Sequence, residues 1–354
     1  MQTKRRNSRW RTRVRRAAPA AIAALFALSA VARADNFWQP PTAVENERRA
    51  DYERWMDIGD KNAILAGRLS YEPEAFPLDR RSLNKRKRFA ITRAVAAYEK
   101  AFDALPDAPE PYYRAAEVLN NYFVEKPENT PVIVSRYKKY ARQAIAYWQQ
   151  FERLAPLDPR VHETLFKRAL VHTRMADEDN YKQAVALYEA IIRRSDVDSE
   201  LRDNVATWYG NLAETYMMLG DLERAIETFQ VAIDASNRSS TGYGLAVALD
   251  RDEQGEMARD VIRRYGEDGL RIMLYDASVF YVPVGERFYY IALGYDAFGY
   301  WHKAAENYEA FIASGAHPQY QQRAKDNLAF VREQLREMRR RNFKPPEVPG
   351  SLSL

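Results

Sequence analysis

One spacing recurs six times along this chain of 354 residues: an alanine, a large side chain four residues on, and a further residue, small or apolar in most copies, three beyond that. It reads Ala94-Tyr98-Ala101, Ala144-Trp148-Phe151, Ala184-Tyr188-Ile191, Ala225-Phe229-Ala232, Ala258-Ile262-Tyr265 and Ala304-Tyr308-Phe311. Positions i, i+4 and i+7 share one face of a helix, so each copy predicts an amphipathic helix. The alanine leaves room for a neighbouring backbone to come close. Pro106 and Pro156 each follow their alanine by twelve residues and mark helix ends, because proline cannot continue a helix. Repeated units of this kind bury their apolar faces by stacking on one another, which makes the expected fold all-α and extended in one dimension.

Upstream of the best copies lies a second helix. Trp208 to Tyr216 precedes Leu219-Gly220-Asp221, and Leu222 to Ala235 follows; Phe288 to Phe298 precedes Gly299, and Lys303 to Ala313 follows. Two amphipathic helices joined by a tight glycine turn resemble the tetratricopeptide repeat family. Residues 206–239 carry Tyr209, Leu212, Ala213, Tyr216, Gly220, Ala225, Phe229 and Ala232 at its signature positions. Residues 285–318 carry Phe288, Ile291, Ala292, Tyr295, Ala304, Tyr308 and Phe311 in the same frame. The resemblance implies an α-α solenoid of stacked antiparallel pairs, a right-handed superhelix, over residues 88–318. The leading alanines stand 50, 40, 41, 33 and 46 residues apart, against a family period of 34, so the array is degenerate. Glu125 to Val134 is a proline-containing insertion, Ala176 to Asn180 lengthens a turn, and residues 266–285 are only weakly repeat-like. Residues 35–87 are expected to form a charged helix (Glu45 to Leu69) and a connector. Residues 319–342 are expected to form a polar capping helix with Leu328, Val331 and Leu335 inward, and 343–354 a proline-rich disordered tail.

The whole chain has 54 Lys plus Arg against 49 Asp plus Glu, a formal charge of +5. Nine of those cations fall in residues 1–34, which contain no acid; the remainder carries −4, and a nucleic-acid reading loses its support. The basic start, the apolar run Ala17 to Val31 and the small-x-small site Ala32-Arg33-Ala34 predict a signal peptide cleaved after Ala34, hence a periplasmic or secreted protein. No later stretch approaches the roughly 18 apolar residues of a membrane helix.

Catalytic and metal chemistry find little material. The absence of cysteine excludes thiolate sites and nucleophiles, and there are four histidines. No G-x-S-x-G, Walker loop or H-E-x-x-H occurs. Gly242-Tyr243-Gly244 reads as a turn and helix packing, and His162 and His172 as surface or groove residues. Asp177-Glu178-Asp179 and Asp196 to Glu200 lack the spacing of a calcium loop, and Asp198 or Ser199 suits a helix cap. No catalytic residue, cofactor or metal is therefore expected, and the chain is read as a non-enzyme.

Lys85, Arg86, Lys87 and Arg88 form the densest basic run after residue 34, read as a solvated helix start or an anion-binding patch; Arg336 to Lys344 is a second cluster. The resemblance further implies a concave groove lined by the first helix of each pair. Thr207, Gly210, Asn211, Glu214 and Met217 would face it in one repeat, and Tyr289, Leu293 and Asp296 in the other. The expected function is an exported interaction scaffold holding a partner's peptide or helix, in envelope assembly, secretion, motility or cell-wall machinery. The alternative is glycan binding through Trp38, Trp55 or Trp301.

Overall fold

The computed structural model describes residues 42–124, 132–195, 204–276, 281–344 and 346–353. Among them are thirteen α-helices, arranged as six consecutive hairpins and a cap. α1 (Ala43–Tyr71) pairs with α2 (Arg80–Ala104), α3 (Glu110–Leu119) with α4 (Lys138–Leu154), and α5 (Val161–Met175) with α6 (Glu178–Ser195). α7 (Val205–Leu219) pairs with α8 (Leu222–Ala235), α9 (Ser239–Arg251) with α10 (Gly255–Tyr275), and α11 (Glu286–Ala297) with α12 (Trp301–Ser314); α13 (Gln321–Arg340) closes the stack. Each helix also packs on the next in sequence, which makes the architecture an all-α solenoid.

The six alanines explain the hairpins. All sit in second helices, and Ala94, Ala144, Ala184, Ala225, Ala258 and Ala304 are fully inaccessible. The large residue four positions on is equally buried in every copy, so one register builds all six interfaces. Tyr265 is the exception at the third position and is only half-buried. Local signals set the helix starts: Thr42 and Glu45 form a capping box on α1, and Asp79 accepts from the Arg81 and Ser82 amides at α2. Gly220 takes φ 85° to end α7, a left-handed turn that glycine adopts without steric cost.

Three expectations change. The charged helix of 35–87 is the first member of the first hairpin rather than a flanking element, and it packs along α2, whose second and third turns hold Lys85 to Arg88. The weakly repeat-like stretch after residue 265 begins with a break inside α10, at Gly266 (φ 62°, ψ −173°), after which the helix resumes. Such angles are essentially confined to glycine. The tail, expected to be unstructured, makes a single 3-10 turn at Gly350–Leu352, and Leu352 is buried. Burying one leucine offsets the ordering of a short turn. α13 matches its expectation, with Leu328, Val331 and Leu335 on its buried face.

The signal segment with Ala34, Trp38, Asp198 and Ser199 lie outside the described residues. So does most of the 125–134 insertion. Among the described residues no helix is long and apolar enough to cross a membrane.

Candidate functional site: an open and a closed half of the inner face

The first helices α7, α9 and α11 pack on one another as well as on their own partners, whereas the second helices α8, α10 and α12 do not approach each other as closely. First helices therefore lie on the inside of the curve, where a groove would be.

In the C-terminal half that inside is crossed by the chain itself, beside a cleft of about 660 Å³ lined by Asp177, Tyr181, Met218, Pro283, His317 and Gln319 among others. The Tyr320 hydroxyl donates to the Met217 carbonyl at 2.7 Å, and the Gln319 amide to the Met218 carbonyl at 3.4 Å, across a hundred residues of sequence. Val282 is buried against Tyr181 and Met218. His317 stands 3.1 Å from the Val282 carbonyl and 3.6 Å from Glu286. Behind this seam the Arg251 guanidinium is inaccessible; it bonds Glu286 at 2.8 Å and lies over the rings of Tyr289 and Tyr320. Asp250, also inaccessible, accepts from Arg323 and Asn327 at 2.7 Å and from the Tyr289 hydroxyl.

This seam corrects half of the expected groove. Met217, Tyr289, Leu293 and Asp296 are 1 % exposed or less, so a partner cannot reach them. Met217 is covered by the turn carrying Tyr320, whereas Tyr289 is buried against Asp250, Phe311 and Asn327 and Asp296 against Arg259, all from neighbouring helices. Asp296 bonds Arg259 at 3.3 Å, and burial, against that cation, pushes its acid up to about 6. Thr207, Gly210, Asn211 and Glu214 are half-buried; Thr207 accepts from Arg238 at 3.0 Å. Burial first, then the nearby Glu286, pushes Glu214 up to about 8, with Arg251 and a bond to Tyr290 opposing.

The N-terminal half is open. A cleft of about 280 Å³ lies between α1 and α3, lined by Asp60, Ala63, Ile64, Arg114, Glu117 and Asn121 among others. Ile64 is 64 % exposed there. Ion pairs then run on toward α5: Glu110 holds Arg114 at 2.7 Å and Arg160 at 2.9 Å, and Lys167 bridges Glu117 and Glu163 at 2.6 Å each. Burial raises the Glu117 acid despite Lys167 beside it. Asp60 accepts from the Tyr98 hydroxyl at 2.7 Å, and Asp158 holds Arg160 at 2.9 Å. Among these named residues the carboxylates outnumber the cations. Sequence reading missed them because it placed the charged helix Glu45 to Leu69 outside the repeat array and assigned groove positions only in the two repeats that match the signature best. The usable signal was a charged residue recurring on the helix that precedes each leading alanine.

The other candidates have structural places. Gly242 and Gly244 lie inside α9, where a Cβ would fall within 2.6 Å of the rings of Tyr265 and Phe229; this is close helix packing. Asp177 accepts from the Asn180 amide at the start of α6, and His172 bonds Asn180 at 2.7 Å; His162 is half-buried. Lys85, Arg86 and Arg88 are exposed and Lys87 is half-buried. In the second basic cluster Arg336 and Arg340 pair with Glu333, Arg341 with Glu337, and Lys344 with Glu347. Trp55 carries Arg54 at 4.7 Å and Lys100 at 4.0 Å over its ring, and Trp301 meets Phe330 edge-on. A ring with cations over it is poorly placed to stack on a sugar.

Residues 163–238, spanning α5 to α8, match the family model described as tetratricopeptide repeat. No curated protein matches the chain. Among solved structures, the MamA protein is 17% identical with a TM-score of 0.42, over 64% of this chain and 96% of that one. BtubC (BKLC) from P. vanneervenii is 17% identical with a TM-score of 0.35, over 89% and 98%. Residues 163–238 thus match tetratricopeptide repeats, and the same buried alanine register and stacked hairpins continue on either side of that segment.

Proposed function

We propose that the chain is an exported, non-catalytic interaction scaffold that holds a polar segment of a partner protein, carrying charges of both signs, along α1, α3 and α5. The observation that carries this reading is the contrast along the inner face. The C-terminal end of α7 is crossed by the chain's own loop, and Tyr289, Leu293 and Asp296 of α11 are buried, while α1 and α3 present a cleft beside a run of charged side chains that continues to α5. Charge complementarity of that kind steers encounter and fixes register more than it adds affinity. Export rests on the basic, apolar and small-x-small order of residues 1–34, and the partner is then sought in the periplasm or outside the cell.

Site-specific photo-cross-linking tests the reading. A cross-linker at Ile64 or Glu163 is expected to trap one common species in the producing cell's envelope, and Glu163→Lys should weaken the Ile64 adduct. The same probe at Val231, exposed on the second helix α8, serves as the control. If Val231 traps that species as well, or the inner positions trap nothing while Val231 does, the groove assignment is wrong.

A further inference from the structure

The C-terminal segment is seated on the protein as a bound peptide would be. Leu352 is 1 % exposed and belongs to the main hydrophobic cluster, with Val348 packed against the same cluster. Its carbonyl accepts from the buried Tyr295 hydroxyl of α11, and the Ser353 carbonyl accepts from the Tyr275 hydroxyl at the end of α10, at 2.6 Å. One aliphatic anchor and two tyrosine hydroxyls reading backbone carbonyls make a peptide seat of ordinary design. The run that joins the segment to α13 is different. Residues 341–344 and 346–347 are all exposed, and the ion pair of Lys344 with Glu347 lies in solvent.

We propose that this seat is a peptide-binding site and that its ligand in trans is the C-terminal segment of a second copy of this chain. The two halves of the argument are independent. Everything that recognises the segment is in the seat, and it contacts only residues 348–353, so a neighbour's segment remakes the same contacts without loss. Among the described residues of the joining run none is buried, so the segment can enter its own seat or an adjacent one. A tethered segment of this length competes at an effective concentration of order millimolar, which keeps the seat filled in cis in dilute solution. Exchange between copies follows when the chain is concentrated or when one tail is displaced.

The full-length variant Leu352→Asp tests both halves, because its own tail can no longer seat. A labelled peptide of residues 346–353 should bind this variant saturably in fluorescence anisotropy. It should bind the unmodified chain at least tenfold more weakly, since the cis tail competes. Adding Tyr275→Phe, an exposed residue whose loss leaves the core untouched, should weaken the peptide several-fold. Tagged Leu352→Asp chain should also retain untagged unmodified chain, and tagged unmodified chain should retain much less. A Leu352→Asp chain with unchanged helical circular dichroism that fails to bind the peptide overturns the site, as does equal peptide binding by both chains. Peptide binding without retention of the unmodified chain overturns the second copy as the occupant. Should Leu352→Asp lose its helical signal, the same comparison is made with Leu352→Ala.

Discussion

Glu214 shows how far one residue's chemistry depends on parts of the chain remote from it. Its acid is pushed from an ordinary 4.5 up to about 8 by burial and by Glu286, and Asp296 from 3.8 up to about 6 by burial. Between the ordinary and the raised value the folded chain holds a proton that the unfolded chain releases. Each of these acids therefore stabilises the fold fully below its ordinary value and loses that contribution as pH rises through the raised one. His317 and His172 work in the opposite sense: burial lowers both below 6.5, so their contribution is complete above 6.5 and is lost as pH falls. The two effects oppose each other below pH 6.5, and above it Glu214 governs. Unfolding free energy is accordingly expected to fall between pH 6.5 and 8, by at most about 1.4 kcal/mol per pH unit for a single proton. Glu214→Gln, which keeps the neutral shape, should flatten that slope in urea titrations; an unchanged slope would assign it to other groups. The sequence marked Glu214 as a first-helix residue facing inward. It gave no sign of the shift, because Arg251 and Glu286 arrive from other hairpins.

At the scale of elements, two glycines in helical stretches carry opposite expectations. Gly266 breaks α10 at φ 62° and ψ −173°, where a side chain would meet no atom but the backbone itself resists any other residue. Gly210 lies within regular α7, and a Cβ there would come no nearer than 3.8 Å to Thr241. Gly266→Ala should therefore cost about 1–3 kcal/mol of strain. Gly210→Ala should stabilise by about 0.5–1 kcal/mol, since alanine loses less backbone freedom in a helix. Melting curves of the two variants should move in opposite directions; a shift of the same sign would mean that α10 can straighten without cost. Straightening would also separate α10's last turns from the tail, because Tyr275 holds Ser353 there. The second helix of every hairpin was legible from the alanine register. The break and the seated tail were not, since a lone glycine and a lone leucine carry no periodicity to read.

For the whole molecule, the repeat spacing announced the solenoid but not its division into an open and a closed half. Each hairpin interface is written locally, in the six alanines and the large residues that follow them. The seam of Tyr320 with Met217 and Val282 with Tyr181 joins segments about a hundred residues apart, and no local pattern encodes it. The same division appears in the core. One buried cluster runs from Ala66 to Met175 and a larger one from Ala169 to Leu352. α4 belongs to the first cluster and α5 contributes to both, and these two helices share the weakest packing of any consecutive helices described. Solenoid stability is close to a sum of unit and nearest-neighbour terms, so a weak interface divides the cooperative unit. Residue-resolved hydrogen exchange in low urea is expected to show α1 to α4 opening without α9 to α12. Trp148 is fully buried in the first cluster, its indole N–H donating to Glu117. Trp148→Ala should cost about 3–5 kcal/mol of protection in α1 to α4, the usual range for emptying such a site, and almost nothing in α9 to α12. If both halves lose protection together, the seam and the α4–α5 interface transmit stability along the full array, and the molecule unfolds as a single unit.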